Sequence, residues 1–177
     1  VEIDEVVIRG FQSLAREGMM MRDALLHDLL DLGHSVIATY DDRTRAPHGA
    51  DGLSVSEGEN VWSLWSEIAK EAEIAWVVAP ETGGLLGRLT QLVRAAGTKA
   101  IGPDEETIRI ASSKELTAER LMPLVPTPPV WRPGSVPATF AGPFVVKPDD
   151  GAGCDDTRLF ENAPQDADLP KGHIVQP

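Results

Sequence analysis

Two kinds of apolar pattern alternate along the first hundred residues, and that alternation restricts the fold more than any other feature. Short β-prone runs occur at Glu5-Val-Val-Ile8 and at residues 35–40, 73–79 and 98–102. Between them, apolar residues recur at the three-to-four spacing of a helical face. The faces are Met21, Ala24, Leu25, Leu29 and Leu32; then Val61, Leu64, Trp65, Ile68 and Ala72; then Leu85, Leu89, Leu92, Val93 and Ala96. Gly33 and Gly97 stand where helix C-caps are expected, and Pro80 and Pro103 stop two of the strands. The runs at 35–40 and 73–79 read as buried strands, and residues 44–60, glycine-rich and polar, read as a loop. Strand and helix in alternation imply an α/β fold with a parallel sheet covered by helices.

Ligands of open parallel sheets sit beyond the carboxyl ends of the strands. The residues there are Asp41, Asp42 and Arg43, then Pro80, Glu81, Thr82 and Gly83, which become candidate substrate contacts. The competing reading is that polar residues follow strands because turns are polar. No GxGxxG occurs, which speaks against a dinucleotide cofactor.

Beyond Pro103 the pattern changes, and a domain boundary is expected near 103–112. Asp104 can cap a short helix through Ile110. Ser112-Ser-Lys-Glu115 has the spacing of a capping box and opens a helix to about Met122. Lys114 then falls in the first turn, where the helix dipole disfavours a cation, so an anionic partner is expected. The alternative is a surface lysine satisfied by Glu115 or by solvent. Val125-Pro-Thr-Pro-Pro129 reads as an extended linker, and residues 161–172 as a loop.

Phe144-Val-Val-Lys147 and Thr157-Arg-Leu-Phe160 read as two strands of a hairpin whose connection carries Gly151 and Gly153. A lysine ending a buried strand beside such a flap suits an anionic ligand, because its ammonium is a compact charge and the flap's N–H groups can approach closely. An ordinary exposed hairpin with a surface lysine is the plainer alternative.

The formal net charge of −12 over 177 residues argues against a nucleic-acid binder. The one cysteine, Cys154, forms no intramolecular disulfide and favours a reducing compartment. No apolar run reaches the roughly 20 residues of a membrane span, and no signal peptide is visible, so a cytoplasmic location without a membrane partner is expected. Val1 is no initiator methionine, and His173-Ile-Val-Gln-Pro177 has no closing element after it. The chain is expected to be a truncated piece of a longer protein.

Ile110-Ala-Ser-Ser-Lys114, Val125-Pro-Thr-Pro128, Phe144 to Cys154 and Ile174-Val-Gln176 follow one another in an order that resembles the ATP-grasp superfamily. The segment before them is similar to the Rossmann-like preATP-grasp domain. Within the superfamily, Glu17-Gly-Met-Met20, Gly33-His-Ser-Val36, Asp41-Asp-Arg43, Ala79-Pro-Glu-Thr82 and residues 101–108 resemble the tyramine–glutamate ligase group, which serves methanofuran- and methylofuran-type cofactor synthesis. The likeness covers about residues 16–177. It implies a preATP-grasp domain over 1–105 and the first part of an ATP-grasp domain over 106–177, with the second half absent.

The resemblance implies an ATP-dependent carboxylate–amine ligase. A carboxylate attacks the γ-phosphate, and an amine then opens the acyl phosphate to an amide. Such chemistry needs phosphate neutralisation and alignment more than acid–base groups. The implied substrates are small-molecule carboxylates and amines, with ATP and Mg²⁺ as cofactors. Lys114 and Lys147 are implied on the ATP phosphates, Asp149 to Cys154 in the covering flap (Asp150, Gly151, Gly153 and Cys154 as ATP contacts, Cys154 as a small filler), and Gln176 at the adenine pocket. Glu17, Asp41, Arg43, Glu81 and Thr82 are implied substrate contacts. Metal ligands and the arginine that helps the transferring phosphate belong to the second half, so no metal ligand or catalytic residue is assigned and the piece alone is expected to be inactive. No clear glycine-rich turn follows the first β-like run, so either that strand is incomplete or the loop at 9–18 departs from the family pattern. Two alternatives stay open: another ATP-grasp amino-acid or peptide ligase, and a non-catalytic nucleotide-binding or dimerisation module. In the latter, the sheet edge at Ile174-Val175 would pair with a second copy in a homodimer.

Overall fold

The computed structural model describes residues 5–151, 154, 156–164, 169 and 171–177, with side chains from residue 15 onward. These form two compact units, one of Val1–Val78 with Leu92–Ala100, the other of Ala79–Gln91 with Ile101–Pro177.

The first unit opens with α1 (Glu5–Asp31), a helix of 27 residues. Glu5–Ile8, expected as a strand, forms its first turn, and the expected loop at 9–18 continues it. A four-residue apolar run has no period of its own to separate strand from helix. Gly10 and Gly18, the only breakers, each cost about 1 kcal/mol, which a long helix absorbs. Gly33 ends the helix at φ +84°, with Gly33 N–H donating to Leu30 O (2.9 Å) and His34 N–H to Leu29 O (3.1 Å). That pair of bonds is a Schellman termination, and the positive φ explains the glycine.

β1 (Ile37–Asp41) pairs in parallel with β2 (Asp51–Val55), Ile37 opposite Asp51 and Asp41 opposite Val55. β2 corrects the loop expected over 44–60. Asp-Gly-Leu-Ser-Val has weak strand propensity, and the segment is extended because β1 supplies its ladder. α2 (Val61–Glu71) starts at Asn60, whose side chain accepts from Ser63 N–H at 3.3 Å. Trp65 Nε1–H donates to Thr39 Oγ1 at 3.2 Å, fixing α2 to β1. β3 (Ile74–Trp76) and β4 (Lys99–Ile101) make a second two-stranded sheet. β1 is half-buried, and Ile74 and Trp76 in β3 are exposed, which corrects the expectation of buried strands. The apolar runs themselves do not reveal how many helices cover a sheet. α3 (Leu85–Ala95) ends at Gly97, φ +88°, as expected. Thr98 is buried and donates its hydroxyl to Ala69 O at the end of α2.

In the second unit, α4 (Glu105–Ala111) is capped by Asp104, whose carboxylate accepts from Thr107 N–H at 2.7 Å. α5 (Lys114–Leu121) begins one residue later than the capping-box spacing predicts. Its N-cap is Ser113, accepting from Leu116 N–H at 3.1 Å, while Ser112 closes α4. Either serine could cap, and the extended φ/ψ of Ser113 decides between them.

β5 (Phe144–Pro148) lies between β6 (Arg158–Phe160) and β7 (His173–Gln176), antiparallel to both. Strand alternation sends Phe144 and Val146 to one face together with Val175, and these three are at most 1% exposed. Trp131, Val136 and Phe160 pack against them. The edge at Val175 is paired within the chain: Trp131 N–H donates to Val175 O (3.0 Å) and Val175 N–H to Trp131 O (2.8 Å). No helix among the described residues is long and apolar enough to cross a membrane.

Candidate functional site

The second face of the β5–β7 pair carries Val145 and Lys147 opposite Gln176 and Ile174. Ile174 is fully buried, so this face is covered too. A cleft of about 270 Å³ opens there, lined by Lys147 and Gln176 from the sheet, by Lys114, Thr117, Ala118 and Leu121 from α5, and by Ala111 and Thr127. Lys114, Lys147 and Gln176, singled out separately in the sequence, therefore meet at one site. It has two ammonium groups, a carboxamide, two hydroxyls and an aliphatic wall.

Lys114 is held by neither Glu115 nor solvent alone. Its Nζ donates to the carbonyls of Asp149 (3.2 Å), Asp150 (3.3 Å) and Gly151 (3.0 Å). The partners of the Lys114 ammonium are therefore neutral carbonyls rather than the expected anion, and the anion at this helix start serves the residues on either side of Lys114. Asp149 directs its carboxylate at the opening of α5, accepting from Ser113 Oγ–H (2.7 Å) and Glu115 N–H (2.8 Å). A negative charge at exposed helix N–H groups is the favourable sign. The backbone adds Lys114 N–H to Asp149 O at 3.0 Å.

The segment after β5 also meets the turn before α3. Gly83 N–H donates to Asp150 Oδ2 at 3.0 Å. Gly151, at φ +84°, lies so close that a Cβ there would stand 3.1 Å from Thr82 Oγ1. Thr82, Asp150 and Gly151 are thus neighbours of the Lys114 contact, and Glu81 precedes the turn Thr82–Gly84. Cys154 is exposed at φ +61°. Gly153 lies outside the described residues. On the far side of the hairpin Asp156 binds Arg158 (2.7 Å) and His173 Nε2 (2.9 Å), and the Arg158 guanidinium, then His173, holds its carboxyl below the usual range.

The remaining predicted substrate residues are in the first unit. Asp41 and Arg43 close on each other: Oδ1 accepts from Arg43 N–H (2.9 Å) and Nε–H (2.8 Å), Oδ2 from Nη2–H (2.6 Å). Arg43 holds the Asp41 carboxyl down to about 2. Glu17 is exposed on α1. Among the described residues no group of three or more His, Cys, Asp or Glu could hold a metal ion.

A family model for the pre ATP-grasp 3 domain matches residues 34–108. Residues 34–108 thus belong to the preATP-grasp family. The chain is 30% identical over 151 residues to a tyramine–L-glutamate ligase of Methanocaldococcus jannaschii, covering 81% of this chain and 46% of that protein. A second enzyme of that name, from Methanocaldococcus fervens, is 25% identical over 154 residues, covering 83% and 50%. The chain thus spans about half the length of the curated relatives it matches. Among solved structures, the biotin carboxylase domain of Hydrogenobacter thermophilus 2-oxoglutarate carboxylase, a dimer with MgADP, ADP and bicarbonate, superposes with a TM-score of 0.65 at 17% identity, over 86% of this chain and 40% of that one. At that identity the likeness concerns the fold alone, an α/β architecture shared with ATP-grasp proteins.

Sequence reasoning missed Asp149 as a second acceptor at the start of α5, beside the Ser113 cap, and the buried His173 as a partner of Asp156. The first was legible only as one more acidic residue of the flap. The second, a histidine ahead of an apolar run, had no distinguishing signal.

Proposed function

We propose that the chain supplies the preATP-grasp domain (residues 1–105) and the first nucleotide-binding part (106–177) of an ATP-dependent carboxylate–amine ligase. The carrying observation is the convergence of Lys114, Lys147 and Gln176 on one cleft beside the 149–151 segment. Two ammonium groups suit a polyphosphate, and the aliphatic wall with the Gln176 amide suits a base. In this reading Lys147 and Lys114 neutralise phosphate oxygens, the segment carrying Asp150, Gly151, Gly153 and Cys154 covers them, and Gln176 meets adenine. Mg²⁺ would add charge neutralisation when bound; no described residue is assigned to it. Similarity to the tyramine–L-glutamate ligases supports glutamate and tyramine, or a related amine, as the pair joined through an acyl phosphate in methanofuran-type cofactor synthesis, with Glu17, Asp41, Arg43, Glu81 and Thr82 as substrate contacts.

Calorimetry with Mg·ATP tests the site. The 177-residue chain is expected to bind, and Lys147→Ala to weaken binding about tenfold or more through one lost charge-assisted contact. Unaltered affinity in the variant would remove the nucleotide from this cleft. ADP release by the protein as its gene encodes it tests the substrates. Turnover with other amino acids but not with glutamate and tyramine would replace them and favour another ATP-grasp peptide-type ligase. The 177-residue chain alone is expected to bind without turnover.

A further inference from the structure

We infer that the first unit carries an anion site of its own, between α1 and the turn after β1, that takes a small organic molecule with a doubly charged phosphate or dicarboxylate. A cleft of about 390 Å³ is lined there by four arginines, Arg16, Arg22, Arg43 and Arg45, in a chain whose net charge is −12. Arg16 and Asp23 are seven residues apart with Met19 and Met20 between them, the spacing of one helical face.

The arginines are not equally neutralised. Arg43 is closed on Asp41, and Asp42 and Glu57 add negative charge beside it. At the other end Asp23 is the only carboxylate among the described residues that line the cleft, and it serves two guanidiniums. Arg22 reaches its Oδ1 through Nε–H (2.9 Å) and Nη2–H (2.7 Å), and Arg45 reaches its Oδ2 at 3.2 Å. Arg16 makes no ion pair among the described residues. Two guanidiniums thus share one carboxylate and Arg16 stands beside them, three positive charges to one negative among the described residues at this end of the cleft.

Arg22 is 17% exposed and forms a fixed base, while Arg45 is 82% exposed with most of its donors untaken by the described residues. Guanidinium forks match the paired oxygens of phosphate and carboxylate. The thioethers of Met19 and Met20 beside them give an adaptable apolar wall, which is why the ligand is organic rather than an inorganic ion. The residues are distinct from those of the nucleotide cleft, so this site does not rest on the nucleotide reading, although Arg43 is shared with the proposed substrate contacts.

The test is backbone amide NMR of the 177-residue chain, titrated with inorganic phosphate and with glutarate at fixed ionic strength. Saturable shifts are expected at residues 43–45 with at least one probe. Arg16→Gln and Arg45→Gln should each weaken that binding about tenfold, the loss of one charge-assisted contact. Lys70→Gln, an equal change of charge on exposed α2, and Lys147→Ala should leave it within about twofold. Saturation by phosphate alone assigns a phosphoryl ligand and by glutarate alone a dicarboxylate, and either supports the site. No saturable shift with either probe, or equal weakening by Lys70→Gln, overturns it.

Discussion

Replacing Asp149 by alanine is expected to loosen the start of α5 and, with it, the lysine beside the cleft. The carboxylate accepts two hydrogen bonds, from Ser113 Oγ–H and Glu115 N–H, 36 and 34 residues away in sequence. A helix-capping contact contributes about 1 kcal/mol, and a charged acceptor strengthens each bond. Ser113 still caps Leu116 N–H in the variant, so the loss is confined to the two named bonds. The half-buried carboxylate keeps some access to water, which leaves about 2 kcal/mol in all. For a chain of this length that corresponds to roughly 4–8 °C in Tm. Asn, which can still accept from Glu115 N–H, should lose about half as much. Because two units need not unfold together, the sharper readout is hydrogen exchange at Glu115 and Leu116, which should accelerate ahead of the β5–β7 amides. A loss below about 0.5 kcal/mol with unchanged exchange at Glu115 would show that Asp149 does not hold α5.

Thr98→Val keeps the shape but removes the buried hydroxyl that donates to Ala69 O, and thermal unfolding should report a loss of about 1–2 kcal/mol. Gly142→Ala would place a Cβ 2.2 Å from Glu161 O, a clash with backbone, so soluble yield and Tm should fall by the equivalent of about 2–4 kcal/mol. The Asp41 carboxyl should titrate at about 2 by NMR and return toward 3.8 in Arg43→Ala. Since the folded value is depressed, the pair's stabilisation is present above 3.8 and disappears as pH falls through about 2, and an Asp41 that titrates normally in the wild type would contradict the pairing.

The helices α2, α3 and α4 and the β5–β6 hairpin were legible because each carries its own period or its own punctuation, as at Gly97 and Asp104. β2 was not, because Asp51 to Val55 is extended only in the presence of β1, and pairing between segments leaves little local trace. The helical start of α1 hid in a four-residue run that either element could contain. At the site, Lys114, Lys147 and Gln176 stood out by motif order. Asp149 did not, since capping a helix from 35 residues away is a property of the folded chain. The charge surplus around Arg45 likewise arises only when α1 and the turn after β1 share a cleft.

The alternation along β5 also bears on how the chain avoids folding wrongly. Lys147 is the one charged residue in a strand whose other face is the core. A slip of one position against β7 would turn its ammonium toward Trp131 and Phe160 and bring Val146 to the cleft. Burying an unpaired ammonium costs several kcal/mol, far more than the slip could recover from altered packing. The side chain proposed to meet phosphate thus also works as a parity check on the sheet. Lys147→Leu should fold with a less unique β5–β7 pairing, whatever it does to nucleotide binding.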